Sequence, residues 1–495
     1  MANRCHYLRT LMSTNLPRLH GPGGFTQARR EGANSMVENR PYIPSLTVDH
    51  LQDETTVVNA VKVILSCVGE IEADIENTAK VSIMSGGLTN ALFRVDIDNE
   101  QQLLQPPATT SVLVRIFGAE GMIDRDKETA NFARLCNSKG SVVHSQLDYL
   151  GRFGNGRIET LIPNVRAATI CDLEEKEDLV FEVTRQMARL HYGFDIPEYL
   201  LEKDSISSLD QLKPVLWDVL ASWNDELITK ISHACSRDPR LVDIFSSALF
   251  GDTLQFEHVV TDDSEDRNES AIKELISHIA QKLTRETRWL QDHVIERHPD
   301  APIAFCHNDV NAGNILLNDG LESGNSNGYN RDSVAMIDYE YAELNYTMYD
   351  MANFICEHCG GNDNGIPNYK LIPSLEVQRN LLREYVQERD KVLNNGATKN
   401  DNDEVAKLLS QLQTFQMVSH LYWGTWGILQ GVTELLEGEY EIEKVQSRLN
   451  GQIDIDSWDN LRYGKSRLVR YREQKQSMLE TSQKQMSYLY HSGRL

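Results

Sequence analysis

Residues 302–317, PIAFCHNDVNAGNILL, and residues 334–343, VAMIDYEYAE, carry more chemical information than any other part of this 495-residue chain. Two apolar runs, Ile315–Leu317 and Val334–Ile337, have the length and β-branched content of short buried strands. Asp309 stands just before the first run, and Asp338 follows the second, 29 residues further on. Phosphoryl transfer needs this layout. A carboxylate at Asp309 can accept the proton of an acceptor hydroxyl. Asn314 and Asp338 offer hard oxygen ligands for Mg²⁺ on nucleotide phosphates. An isolated His-x-Asp would be an ordinary polar turn. Two such elements in order, each beside an apolar strand, are much harder to obtain by chance.

The spacing of Asp309 and Asn314, five positions apart, is that of the protein-kinase catalytic loop. Asn308 stands where those enzymes carry Arg, and Asp338-Tyr339-Glu340 replaces Asp-Phe-Gly. The departures point to kinase-like phosphotransferases acting on small molecules.

Composition sets the limits around this reading. The formal charge is −24, from 73 acidic and 49 basic residues, which argues against non-specific binding to nucleic acid or to an anionic membrane. No apolar run approaches a membrane span. The eight cysteines are scattered, as in a cytoplasmic protein with reduced thiols, and Cys356-x-x-Cys359 has no companion pair to complete a zinc site. Residues 1–45, where five arginines precede the first acid at Glu31, read as a disordered or targeting extension.

Periodicity predicts an α+β, two-lobed, protein-kinase-like fold with a small β-rich N-lobe over 46–162 and a larger, mainly helical C-lobe over 163–495. Helical spacing covers 49–68. Strands follow at Val81–Met84, Leu92–Asp96 and Val112–Phe117, then a helix at Ile123–Asn137 and strands at Gln146–Leu150 and Arg157–Ile162. Beyond Pro163 the pattern predicts helices at Leu173–Tyr192, Leu209–Ser232, Ile272–Glu296, Leu375–Leu393 and Val405–Leu436. Three stretches read as insertions: acidic Gly251–Ser270, Gly/Asn/Ser-rich Asp319–Ser333 and Asn/Asp-rich Asn394–Glu404. The last 25 residues read as a fraying helix without chemistry.

The nucleotide-binding half is expected in the N-lobe. The turn Ser85-Gly86-Gly87-Leu88-Thr89-Asn90 joins two strands, so backbone N–H groups can approach phosphate closely, with the Ser85 and Thr89 hydroxyls as further donors. Arg115, in VLVRIF, stands where a kinase has its phosphate-binding lysine, and Glu128 on the next helix is placed to orient it.

Taken together, these residues resemble the choline/ethanolamine kinases over about residues 80–450. The likeness rests on MSGGLTNALFRV (84–95), VLVRIFG (112–118), GRIETLIP (156–163), FCHNDVNAGNILL (305–317), IDYEYAELNYTMYDMANFICEH (337–358) and SHLYWGTWGILQ (419–430). The resemblance implies ATP and Mg²⁺ as cofactors, Asp309 as the base, and Asn314 and Asp338 as metal ligands. It implies that Glu340 supports the metal shell and that Thr160–Arg166, with Ile162, form the adenine hinge. Asn311 would reach the phosphates, Asp350 would brace the catalytic loop, and Glu357 would face the acceptor ammonium. Members are often homodimers.

Trp423 and Trp426 lie three positions apart, on one helical face, and aromatic faces attract ammonium groups. Tyr341 offers a third wall. Paired tryptophans without the upstream motifs would simply be core. His358-Cys359-Gly360-Gly361 follows Glu357 where choline kinases add aromatics, and no aromatic stands around Glu443–Lys444. Ethanolamine is therefore the expected acceptor, with choline as a second one. A choline kinase proper, or a kinase of another small hydroxyl acceptor such as an aminoglycoside, is the alternative.

Overall fold

The computed structural model describes residues 40–48, 54–67, 79–84, 90–97, 111–118, 123–138, 142, 144–196, 212–251, 265–318, 328–361, 365–394, 402–438, 440–452 and 458–491. Residues 1–39, the turn 85–89, and most of the three expected insertions lie outside them.

The first compact unit takes its described residues from 1–212, 305–343 and 384–399. Its six-stranded sheet has the order β1-β5-β6-β4-β3-β2. The strands are β1 (Tyr42–Ile43), β2 (Ala79–Met84), β3 (Asn90–Ile97), β4 (Ser111–Phe117), β5 (Tyr149–Phe153) and β6 (Gly156–Thr160). Strand β1 pairs parallel with β5, so part of the expected 1–45 extension belongs to the sheet. Helix α1 (Glu54–Cys67) buries Val57, Val61 and Ile64 against Val95, Val114, Phe153 and Ile158. Strand β5 begins three residues later than expected. The Thr160 hydroxyl donates to the Gln146 carbonyl (2.7 Å) and accepts from the Asp148 amide (2.7 Å), holding 146–148 out of the ladder.

Helix α2 (Arg125–Asn137) starts at Asp124, whose carboxylate caps the Asp126 and Lys127 amides. The helix expected over 173–192 is two helices, α3 (Ile170–Glu175) and α4 (Glu177–Gly193). A Thr169/Asp172 capping box starts α3, and Lys176, at φ −116° and ψ 83°, breaks the pair. Three short strands, β7 (Arg166–Ala167), β9 (Ile315–Leu317) and β10 (Val334–Met336), form a second sheet in the order β10-β9-β7. Strand β8 (Ile303–Cys306) leads into the loop carrying Asp309, and β11 (Glu343–Tyr346) follows Asp338.

The second unit takes its described residues from 213–304, 344–383 and 400–495, and it is mainly helical. Its helices are α5 (Leu216–Arg237), α6 (Leu241–Phe250), α7 (Glu265–Arg297), α8 (Thr347–Glu357), the first turns of α9 (Leu375–Asn394), α10 (Asn402–Glu437), α11 (Ile442–Leu449) and α12 (Asn460–His491). This grouping cuts the chain elsewhere than at residue 162, because α3, α4 and the Asp309 loop stay with the sheet. Helix α10 is buried around most of its circumference. Gly427 of α10 faces Gly464 of α12 so closely that a Cβ on Gly427 would lie 2.8 Å from the Gly464 backbone. Gly424 and Gly431 meet Leu468 and Leu461 in the same way, so the glycines of the Trp-Gly-Thr-Trp-Gly run have a packing reason of their own. Among the described residues no helix is long and apolar enough to cross a membrane.

Candidate active site

Asn308 (φ 67°) and Asp338 (φ 66°) both adopt the left-handed conformation, which costs a non-glycine residue and clusters where a structure fixes chemistry. Asn308 is held there by its amide, which donates to the carbonyls of Tyr341 (3.0 Å) and Glu343 (3.4 Å). His307 is fully buried. Its Nδ1 accepts from the Asp309 amide (3.3 Å), so Nε2 carries the proton and donates to the Ile337 carbonyl (2.9 Å). One imidazole thereby ties the Asp309 loop to the residue before Asp338. Asn311 and Asn314 both turn their amide N–H groups on the Asp309 carboxylate, at 3.1 and 3.0 Å. Asn314 also donates to the Asp309 carbonyl (2.9 Å), which leaves its side-chain oxygen for another partner. Carboxamide and carboxylate oxygens such as those of Asn314 and Asp338 are hard donors of the type that could hold Mg²⁺.

Arg115 is only 4% exposed, at the centre of β4. Its Nε donates to Glu159 (2.7 Å) and its Nη1 to Asp338 (3.1 Å). Glu128, the expected partner, pairs instead with Arg157 (2.6 Å) and Arg125 (2.6 Å). The sheet register explains this difference. Arg115 lies directly opposite Arg157 across the β4–β6 ladder, and two facing buried guanidiniums require an anion between them. Glu159, two residues along β6 on the same face, bridges both (2.7 and 3.0 Å). Glu128 then serves the far side of Arg157. Arg125 continues the chain to Glu340 (3.1 Å), which also accepts from Asn90 (3.2 Å). Glu340 is thereby linked to the end of the glycine turn. Residues Ser85, Gly86, Gly87 and Thr89 of that turn lie outside the described residues.

Burial pushes the Glu128 carboxyl up, but Arg157, Arg125 and Arg115 outweigh it and hold it down at about 2. A carboxyl depressed on folding stabilises the fold above its unfolded value and loses that contribution as pH falls through the folded one. Between about pH 4.5 and 2, Glu128→Gln is therefore expected to lose roughly 2–3 kcal/mol less stability than the parent. Urea unfolding at each pH measures this, and identical acid limbs would remove Glu128 from the account.

In the segment expected to meet adenine, Thr160 and Ile162 are buried. Arg166 is exposed and holds Asp172 through two hydrogen bonds (2.7 and 2.8 Å), so its first role is at the start of α3.

In the second unit, Glu357 is buried at the end of α8. Its Oε1 accepts from Arg467 Nη1 (2.8 Å), a side chain with no exposed surface. Arg467 also donates to the Ser419 hydroxyl (2.9 Å). The carboxylate expected to serve an ammonium thus already has an internal cation. Trp423 is buried, and its indole N–H donates to Asn353 (2.6 Å). Trp426, half-buried, meets Trp423 edge-on with ring centroids 5.6 Å apart, and its own N–H finds no acceptor among the described residues. Asp350 is fully buried on α8.

Sequence reasoning missed Trp458 and Tyr463. Their rings lie 4.8 Å apart, and the Arg467 guanidinium lies 5.6 Å from the Tyr463 ring. This places an aromatic pair beside the Glu357–Arg467 bridge. The available signal was the i, i+4 spacing of Tyr463 and Arg467, past the point at Glu443–Lys444 where aromatics were sought. Burial pushes the Cys356 thiol up to about 12 and raises that of Cys359, which makes both neutral core groups.

A left-handed aspartate braced by a buried arginine, and a second aspartate embraced by two asparagines, define a phosphotransferase of the protein-kinase-like class. A profile of the Choline/ethanolamine kinase family matches residues 81–472. The chain is 31% identical over 348 residues to Ethanolamine kinase 2 of Mus musculus, covering 70% of this chain and 68% of that one. It is 26% identical over 416 residues to Probable choline kinase 2 of Arabidopsis thaliana, covering 83% and 92%. The fold matches a solved ethanolamine kinase from Plasmodium vivax (TM-score 0.54, 19% identity, 91% and 95% covered). It also matches a choline kinase from Cryptosporidium parvum (TM-score 0.53, 19% identity, 87% and 97% covered). The chain belongs to the choline/ethanolamine kinase family, and is therefore a kinase with an alcohol as acceptor.

Proposed function

We propose that this protein transfers the γ-phosphoryl group of ATP to the hydroxyl of ethanolamine, with choline as a slower acceptor. The observation that carries the reading is the Asp309 carboxylate held by Asn311 and Asn314 in a loop locked to Asp338 through His307. In the reaction, the acceptor oxygen bonds to the γ-phosphorus, the bond to the ADP oxygen breaks, and Asp309 takes the hydroxyl proton. Asn314 and Asp338 would hold Mg²⁺, which supplies charge neutralisation at the phosphates when bound. Arg115 keeps Asp338 in place and adds positive charge near the phosphates. We place the reaction in the cytoplasm, which suits eight cysteines scattered along the sequence without a framework of pairs.

Recognition of the acceptor cation is assigned to Glu357, Trp423 and Trp426, with Tyr341 as a further wall. A primary ammonium can donate hydrogen bonds to carboxylates and amides, which Glu357 and Asn353 provide. A quaternary one needs aromatic surface. The Trp458–Tyr463 pair favours a second reading, choline as preferred acceptor. ADP release by the purified protein with ATP and Mg²⁺ is expected to run faster with ethanolamine than with choline, and at background without acceptor. Faster turnover with choline would transfer the preference to the aromatic set, and silence with both would send the search to other hydroxyl acceptors.

A further inference from the structure

Residues 40–48 run along the β1 edge of the six-stranded sheet, ahead of the stretch that carries the family likeness. Their apolar side chains, Ile43, Leu46 and Val48, pack into the core beneath the sheet. Their other contacts converge on the turn between β5 and β6. The Asn155 side chain accepts from the Val48 amide (2.9 Å) and donates to the Val48 carbonyl (2.8 Å). The Gly154 amide donates to the Leu46 carbonyl (2.6 Å). Only glycine admits this approach, since a Cβ there would lie 2.6 Å from the Pro44 carbonyl oxygen. The Tyr42 ring, 48% exposed, has the Arg152 guanidinium 5.0 Å from its centre. Arg152 in turn pairs with Asp126 in the first turn of α2 (2.7 Å).

From this turn the contacts continue to the phosphotransfer site. The Asn155 carbonyl accepts from the amide of Phe117, the last residue of β4 (2.9 Å). Two guanidiniums lie within cation–π reach of the Phe117 ring, Arg152 at 5.5 Å and Arg125 at 5.2 Å. Arg125 also donates Nη2 to the Gly118 carbonyl (2.5 Å) and Nη1 to Glu340 (3.1 Å). A ring and a carbonyl at the end of one strand orient the planar guanidinium, and with it the N–H that Glu340 receives. Glu340 stands two residues past Asp338. An exposed ring and an ion pair to a carboxylate that is 81% exposed add little to stability, so their convergence on Arg125 needs another reason.

We propose that residues 40–48 are a positioning strap for the metal–nucleotide site. Through Asn155, Arg152 and Phe117 the strap sets Arg125, and Arg125 sets the Glu340 carboxylate beside Asp338. None of these side chains is assigned a part in the chemical step. They act through Glu340, and the inference rests on the expectation that Glu340 supports the Mg²⁺ shell.

The test is calorimetry of ADP binding to the full chain, with and without Mg²⁺. The quantity read is the ratio of the two affinities, which a loss of stability alone would leave in place. Asn155→Ala and Arg152→Leu are each expected to lower that ratio about fivefold, with affinity for ADP alone nearly unchanged. Arg152→Lys is expected to restore most of it, because an ammonium keeps the charge facing Asp126 and the two rings. Tyr42→Ala, at an exposed position, is expected to lower the ratio in the same direction and keeps the test valid if the Asn155 variant folds poorly. Glu340→Gln separates the inference from the expectation beneath it. A ratio unchanged by Glu340→Gln would remove Glu340 from the metal shell and end both. A ratio lowered by Glu340→Gln yet unchanged in the strap variants would overturn the strap alone. Equal weakening with and without Mg²⁺ would also overturn it, by reducing the strap to general support of the sheet.

Discussion

Replacing Asp309 with alanine is expected to lower kcat by about 10²–10⁴-fold, the usual worth of a positioned general base, while ATP affinity changes only a few-fold. The side chain lies in a loop whose backbone is held independently of it. Asn308 anchors to the Tyr341 and Glu343 carbonyls, His307 bridges to Ile337, and the Asn314 amide also grips the Asp309 carbonyl. Removal of the carboxylate therefore takes away chemistry and leaves the loop standing. Arg115 and Asp338 keep their bond in the variant, so nucleotide binding has no reason to fail. Steady-state kinetics with ethanolamine, alongside nucleotide binding by calorimetry, separates the two quantities. Near-normal turnover in the variant would end the assignment of Asp309 as base.

Arg467→Met is expected to destabilise the second unit by about 3–5 kcal/mol, because it leaves the Glu357 carboxylate buried without its cation. Arg467 has no exposed surface, and it meets Glu357 at 2.8 Å and the Ser419 hydroxyl at 2.9 Å. Methionine fills much of the same volume, so loss of packing contributes little and loss of charge most. The double variant Glu357→Gln/Arg467→Met removes both charges and is expected to recover at least half of the loss, since no ion is then stranded. Urea unfolding of the parent, both single variants and the double variant measures the coupling. Additive losses would show that the two side chains act separately. The same cycle read through the acceptor KM reports whether Glu357 also serves the ammonium. A purely structural bridge would move stability and leave KM in place.

Much of this protein was legible in the chain itself. Strands β2, β3 and β4, helix α2 and the order of the catalytic elements follow from alternation, helical spacing and the capping aspartate before α2, all of which act over a few residues. Asp309, Asn314 and Asp338 could be singled out by a spacing that matches the kinase pattern, and the roles proposed for them rest on that chemical pattern. The errors lie where long-range contacts compete with local preference. Thr160 pulls 146–148 out of the strand that their sequence favours, and Lys176, at φ −116° and ψ 83° with its ammonium on the Tyr329 hydroxyl (2.6 Å), splits a helix whose apolar spacing runs on unbroken.

The tryptophans and glycines of α10 illustrate the division further. Their spacing suggests an aromatic wall, yet the glycines answer to α12, whose Gly464 backbone leaves no room for a side chain on Gly427. Whether Trp423 is wall or core depends on Asn353, which lies 70 positions away and takes its N–H. Periodicity and motif spacing determined the α+β class and the phosphotransfer loop, because both are written in neighbouring residues. The pairing of charges was left to the tertiary structure. The β4–β6 register sets Arg115 against Arg157, so Glu159 bridges them and Glu128 turns to Arg125 and Arg157. A buried ion takes whichever counter-charge the sheet brings within reach, and one-dimensional spacing does not encode that distance.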